Sequence, residues 1–487
     1  MTKKKESRSE LLAHNVLVFG LAMIISKLIT FILSPIYTRY FTPTEYGLFD
    51  LSLTAVSVIA PLGMLGASDA LFRYYFEEKN LSFRSALISN GLRFVSYFSL
   101  IISILILLFN DQIAKIYLGS SDHVIYINLI ALIVFLNNIA NITQAILRME
   151  NNRKMITKVT IIQAALTFIF SILFVVILEL NMESILITQA ITLTIVIYIT
   201  GKYGWKYINL KKLKLNKNIM KQILEYGIPL TPVFLGYWIL KASDRLIINH
   251  YHGASLVGIY AVGAKLSGIA NLFQSIFAKG WQYFSFSTMD DDDAHIIYGK
   301  IFDIIFFIAI LTINFLVFYS DFIFKIIFDE RYYEAWVIVP LLTVGPFVMI
   351  LKWISSIGFQ IKKKTYYDTI IIFIASAINI LLNFLLIGKY NIMGAAVATV
   401  ISYAILLFCS YWLGNKLFEI DINKKNIFIL SILSFISYYL KYYIVLNDFY
   451  YSTFLFFLFN IIYLSFNYKL AIYGFNKLNL IFKKWRS

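Results

Sequence analysis

Four charged residues, Lys241, Asp244, Arg245 and Lys265, fall within or at the edges of apolar runs in the stretch from Tyr226 to Lys265. A charge at the centre of a bilayer costs about 2.5–3.5 kcal/mol on insertion scales, so each such group needs a partner or a hydrated cavity. Three cations against one carboxylate leave surplus positive charge. Lys and Arg donors suit phosphate oxygens, so the chemistry open to this set is to hold an anion. Asp244, three residues from Lys241 on one helix face, either balances part of that charge or couples it to protons.

The elements that must position these residues are membrane helices. The chain is 60% hydrophobic and 14% charged, well above the apolar share of about 45–50% in soluble proteins. Apolar runs long enough to cross a hydrocarbon core of about 30 Å recur from end to end. Fourteen spans are expected in an all-α polytopic fold, with the first at 12–34, the seventh and eighth at 223–249 and 255–280, the tenth at 335–360 and the last two at 425–445 and 450–468. The opening MTKKKESRSE precedes an apolar run without a small-residue cleavage site, which predicts a retained first helix.

Charge orders these spans. With the N-terminus cytoplasmic, 31 Lys and Arg fall in inner segments and six in outer ones, Arg39, Lys115, Lys325, Arg331, Lys389 and Lys441. One missed helix would invert everything downstream, so the split supports an even count with both termini cytoplasmic. The net charge of +16 is thereby an orientation signal, and no nucleic-acid partner is expected.

Six basic residues remain inside spans: Lys27, Arg93, Lys241, Arg245, Lys265 and Lys352. Arg93 lies near an inner end and can snorkel to the surface. Lys352, after Pro340 and Pro346, either joins the anion-binding set or snorkels in the same way. Other features are poor sites. Asp290–Asp293 lacks the spaced ligands and glycine of a calcium loop, and His250 with His252 lacks a third ligand, so no metal is expected. Cys409 is alone, and no GxxxxGK[ST] loop occurs, so neither a disulfide nor a nucleotide cofactor is expected.

An internal repeat organises the array. YFTPTEYGLF from Tyr40 matches YHGASLVGIY from Tyr251 at an offset of 211, and Arg153–Ile177 lies on Lys363–Ile387 at an offset of 210, with Asn181 on Asn391. Six spans separate the partners, so the halves share one orientation and form a parallel, pseudo-two-fold repeat. The expected domains are a six-helix lobe at 1–204, a basic cytoplasmic linker at 205–222, a second six-helix lobe at 223–415, and two added helices with a basic tail at 416–487. Under the 211 offset Lys27 falls on Trp238 and Lys241 on Thr30, which places both lysines on one face of equivalent helices. Faces related by a two-fold meet at the axis, so Lys27 and Lys241 should line a central cavity.

Two stretches also carry a family likeness. SKLITFILSPIYTRYFTPTEYGLFDL from Ser26, and DRLIINHYHGASLVGIYAVGAK from Asp244, resemble the Wzx-type flippases of polysaccharide biosynthesis, in the multidrug, oligosaccharidyl-lipid and polysaccharide (MOP) exporter superfamily. The resemblance implies two lobes in a V, opening alternately to each side. It implies as substrate an undecaprenyl-diphosphate-linked repeat unit, turned from the inner to the outer leaflet of the bacterial cytoplasmic membrane for O-antigen or capsule assembly. Membrane lipids are implied partners, with polysaccharide polymerase machinery beyond them. The last two helices are similar to those that help form a lipid-tail groove in the lipid II flippase. On this reading Lys27, Lys241, Arg245 and Lys265, with Lys352 as a further candidate, take the diphosphate.

Three rivals are weaker. A cation-coupled drug exporter shares the fold but calls for surplus carboxylate. A membrane polymerase needs catalytic outer loops, and the longest here, about Ser320–Glu334, holds no such constellation. An inert scaffold leaves the charges in the spans unexplained.

Overall fold

The computed structural model describes residues 8–77, 80–204, 216–445 and 448–486, and these are helical with no strand among them. Residues 205–215, the greater part of the expected basic linker, lie outside the described residues. Packing divides the chain into two compact units, Met1–Ala261 and Val262–Ser487.

The first unit holds α1 (Arg8–Tyr40), α2 (Pro43–Met64), α3 (Ala67–Glu77), α4 (Leu81–Leu108), α5 (Asn110–Ile113), α6 (Val124–Met149), α7 (Arg153–Ser171), α8 (Glu183–Gly204), α9 (Lys217–Gly227) and most of α10 (Thr231–Ser267). Helix α6 is its centre, packed on α2, α4 and α8, while α1 lies against α7. The start of α2 is written in its sequence. Thr42 caps the helix by accepting from the Glu45 amide at 3.3 Å, and the Glu45 carboxylate accepts from the Thr42 amide at 2.7 Å. Pro43 follows at the first helical position, where its missing N–H costs nothing. Helix α9 is amphipathic and short. Its Ile219, Met220 and Ile223 enter a core with Leu71, Leu87 and Ile146, while Lys217 and Lys221 stay exposed.

The second unit holds α11 (Ile269–Thr288), α12 (Ala294–Ile327), α13 (Val339–Ser355), α14 (Ile357–Ile361), α15 (Tyr366–Leu417), α16 (Lys424–Leu440) and α17 (Phe449–Arg486). Helix α13 packs on α12 and α15, and the last two helices pack on α12. A buried ion pair fastens them there. Lys441 donates to Asp321 and to Ser452, each at 2.8 Å.

Eleven stretches of the described residues are long and apolar enough to cross a membrane, against the fourteen expected. Part of the difference is continuity. Two of the eleven run for 51 and 52 residues, or about 77 Å at 1.5 Å per residue, more than twice a hydrocarbon core. Each contains one non-helical residue, Gly253 (φ 78°, ψ 177°) and Asn391 (φ 52°, ψ −134°). At Asn391 the chain doubles back. A Cβ on Gly394 would stand 2.5 Å from the carbonyl oxygen of Leu386, a residue that a continuous helix would hold about 12 Å away.

The repeat is legible in backbone contacts. A Cβ on Gly47 would meet the carbonyl oxygen of Ala254 at 1.7 Å, and one on Gly258 would meet that of Pro43 at 2.0 Å. Pro43 and Ala254 are 211 apart, as are Gly47 and Gly258. The contact is therefore reciprocal, as a two-fold requires. No side chain fits between these helices, so Gly258→Ala should lower the unfolding temperature in detergent, with a cost at or above the upper end of the usual overpacking range of about 1–3 kcal/mol.

Further along, the backbone refines the register to 212. The amide of Asn152 donates to Leu147 and that of Lys364 to Phe359, closing equivalent turns over Asn151 and Lys363, both at positive φ. Glu179 and Asn391 form a second positive-φ pair at the same offset. Asn tolerates the left-handed conformation at 151; Lys at 363 does not, and strain of about 1–2 kcal/mol is expected there.

Candidate functional site

The charged residues singled out in the sequence do not form one cluster. Within the first unit α10 presents Lys241, Asp244 and Arg245, and α1 presents Lys27. Lys265, half-buried at the end of α10, and Lys352, in α13, belong to the second unit.

Lys27 and Lys241 are brought together. Both side chains are exposed, and the Lys27 ammonium repels that of Lys241. Among the described residues neither lysine makes an ion pair. Two exposed ammonium groups within electrostatic reach of each other, on apolar helices, are a place where an anion can be held.

Arg245 has a different role. Its Nε donates to Asp50 Oδ2 at 2.5 Å, with both side chains largely buried. Its Nη1 donates to the Lys241 carbonyl oxygen at 3.1 Å, and its guanidinium lies over the Tyr260 ring at 5.5 Å. Tyr260 in turn donates its hydroxyl to Asp244. Asp244 is thus turned toward Tyr260, on the next stretch of α10 past the break at Gly253. Asp50, on α2, is the residue that sequence reasoning missed. A carboxylate in the apolar run after PTEYG is the signal that finds it.

A hydrogen-bonded shell fixes this pair. Tyr117 lies in a π-helical segment, Ala114–Leu118, and donates to the Leu51 carbonyl at 2.8 Å, while its own carbonyl accepts from Asn249 at 2.9 Å. Burial pushes the Tyr117 phenol up from its ordinary value, so it remains a neutral donor. The Tyr46 and Ser34 hydroxyls share a hydrogen bond at 3.1 Å, and Tyr37 donates to Ser171 at 2.7 Å. The neighbourhood of Asp50 is therefore a hydrogen-bonded polar region inside a helical bundle.

In the second unit Lys352 does not snorkel. It is fully buried and donates to Asp368 Oδ2 at 2.7 Å, because the turn after α14 returns Asp368 to the side of α13. Asp290–Asp293 lie exposed ahead of α12.

A bundle of apolar helices with ion pairs buried in the spans defines a polytopic membrane protein. Its solved likenesses agree. The fold is similar to the lipid II flippase MurJ in an inward closed conformation, with TM-score 0.73 and 18% identity over 94% of this chain and 100% of that one. It is similar to an inward-facing multidrug resistance MATE transporter of the MOP superfamily, with TM-score 0.63 and 14% identity over 86% and 99%. In sequence the chain is similar to a membrane protein of Methanocaldococcus jannaschii, 25% identical over 83% of this chain and 84% of that one. It is similar also to the capsular polysaccharide biosynthesis protein CapF of Staphylococcus aureus, 23% identical over 82% and 98%. The family described as polysaccharide biosynthesis protein matches residues 36–338, well over half the chain, and the chain belongs to that family.

Proposed function

We propose that this protein is a flippase that carries undecaprenyl-diphosphate-linked oligosaccharide units from the inner to the outer leaflet of a bacterial cytoplasmic membrane. The observation that carries the reading is the Lys27–Lys241 pair, two exposed cations that make no ion pair among the described residues, on helices that the repeat relates. A diphosphate is dianionic or more and can satisfy both lysines, while the polyprenyl tail stays in lipid. Family membership and the names of two similar proteins, a capsular polysaccharide biosynthesis protein and a lipid II flippase, support the same substrate class. On this reading transport proceeds by alternating access, both termini face the cytoplasm, the lobes are 1–204 and 223–415, and the 416–487 segment is an addition. Arg245 and Lys265 serve the diphosphate after the two lysines, and Lys352 is the least suited because Asp368 holds it.

One observation favours a second reading, an ion-coupled small-molecule exporter. Asp50 and Asp244 are buried carboxylates, and the MATE likeness shares the fold. Deleting the gene separates the readings. A flippase deletion should leave repeat-unit synthesis intact, abolish polymer and accumulate lipid-linked units in the inner leaflet. Normal polymer in that strain would overturn the flippase reading.

A further inference from the structure

Away from the ion pairs, the second unit contains a cavity of about 560 Å³ between α11, the end of α13 and the turn after α14. Its lining joins three aromatic rings, Trp281, Phe286 and Trp353, with two amides, Gln282 and Gln360, and the Lys363 ammonium. Trp281 is braced from behind, stacked on Phe277 at 5.7 Å and set edge-on to Tyr298 at 5.2 Å. Among the described residues the side chains of Gln282, Gln360 and Lys363 make no hydrogen bond or ion pair. Braced aromatic faces beside uncommitted polar groups suit a ligand that is apolar on its faces and hydroxylated at its rim. A pyranose ring is such a ligand. A polyprenyl or acyl chain is not, since it would leave the amides and the ammonium unsatisfied.

Lys363 adds an independent pointer. It occupies a left-handed position, φ 57°, that the first half fills with Asn151 in an equivalent turn. Asn or Gly would suit that backbone better. A lysine in that conformation, with its side chain on the cavity, is accounted for if the ammonium meets a ligand.

We propose that this cavity is a sugar-binding subsite, which takes a ring of the glycan in the lipid-linked substrate and reads the head group that the lysine pair cannot. The proposal rests on the flippase reading above. In it Trp353 and Trp281 stack on the ring faces, Gln282 and Gln360 exchange hydrogen bonds with ring hydroxyls, and Lys363 serves a hydroxyl or an acidic substituent. The subsite would give selectivity among glycans to a carrier whose phosphate contacts are blind to the sugar.

The test uses the full-length protein in lipid nanodiscs and two probes: lipid-linked repeat units extracted from a strain lacking this gene, and bare undecaprenyl diphosphate. Binding of both is followed by native mass spectrometry. The wild type should prefer the glycosylated lipid by tenfold or more. Gln282→Ala, Trp353→Ala and the turn-compatible Lys363→Asn should each erode that preference with the affinity for bare lipid unchanged, and Trp353→Phe should retain most of it. Should Trp353→Ala fail to fold, Gln282→Ala and Lys363→Asn, at exposed positions, give the same readout. Preference that is absent in the wild type, or that survives in these variants, overturns the subsite and leaves the flippase reading standing. Parallel loss of bare-lipid affinity shows a site for the lipid and also overturns it. A wild type that binds neither probe overturns both.

Discussion

Replacing Lys27 and Lys241 together with Ala should reduce export of lipid-linked repeat units by about 100-fold or more at equal protein levels, and each single change by about tenfold. A hydrogen bond to a charged group contributes about 1.5–3 kcal/mol net, and every 1.4 kcal/mol is a factor of about ten. The informative part is the sign of the accompanying stability change. The two exposed ammonium groups lie within electrostatic reach of each other, and neither has an ion-pair partner among the described residues. Removing either one relieves the other. The unfolding temperature of Lys27→Ala should therefore stay level or rise while export falls, a pattern expected where a site is held against its own electrostatics for function. Export measured in the deletion strain and unfolding of the purified protein check the two halves. Undiminished export by the double variant would remove the lysine pair from the transport site.

How much of this was legible in the sequence depends on symmetry. The glycines at 47 and 258 and the turn at Asn391 pair or recur across the two halves, so the offset in the sequence places them within two residues. Lys27 and Lys241 were legible for the same reason. The Asp50–Arg245 pair was hidden because it breaks the symmetry. At the 211 offset the counterpart of Arg245 is Ser34 and that of Asp50 is Ala261. Likewise Asp244 and Tyr260, joined by a hydrogen bond, correspond to Leu33 and Phe49, which are buried and apolar. At each of these positions one half places an ionisable group where the other places an apolar or neutral residue. Periodicity and charge counting locate helices and lone cations; which acid meets which base across a sequence separation of 195 residues is a property of packing. The cavity at Trp281 was illegible for a further reason. Its residues lie on three separate elements, and aromatic residues in apolar runs look the same whether they fill a core or line a site.

Asp50→Ala should be the most damaging single substitution to the fold of the first unit. Asp50 and Arg245 are both largely buried, and the Arg245 Nε sits 2.5 Å from the carboxylate. Removing one member leaves the other charge without its partner in a medium that cannot solvate it, which costs about 3–5 kcal/mol. Replacing both, as Asp50→Asn with Arg245→Gln, takes the charges away together and should recover most of the stability. Unfolding of the four proteins in detergent gives the coupling directly as a double-mutant cycle. Export then decides what the pair is for. If it is only a brace, the double variant should export nearly as well as the wild type. If Arg245 exchanges Asp50 for a substrate phosphate during the cycle, the double variant should be stable and inactive, because the group that must change partners is gone. The second outcome is the one expected, since Arg245 lies one helical turn from Lys241 and donates to its backbone carbonyl, which puts both cations on one stretch of α10. A stable double variant with full export would assign the pair to structure alone.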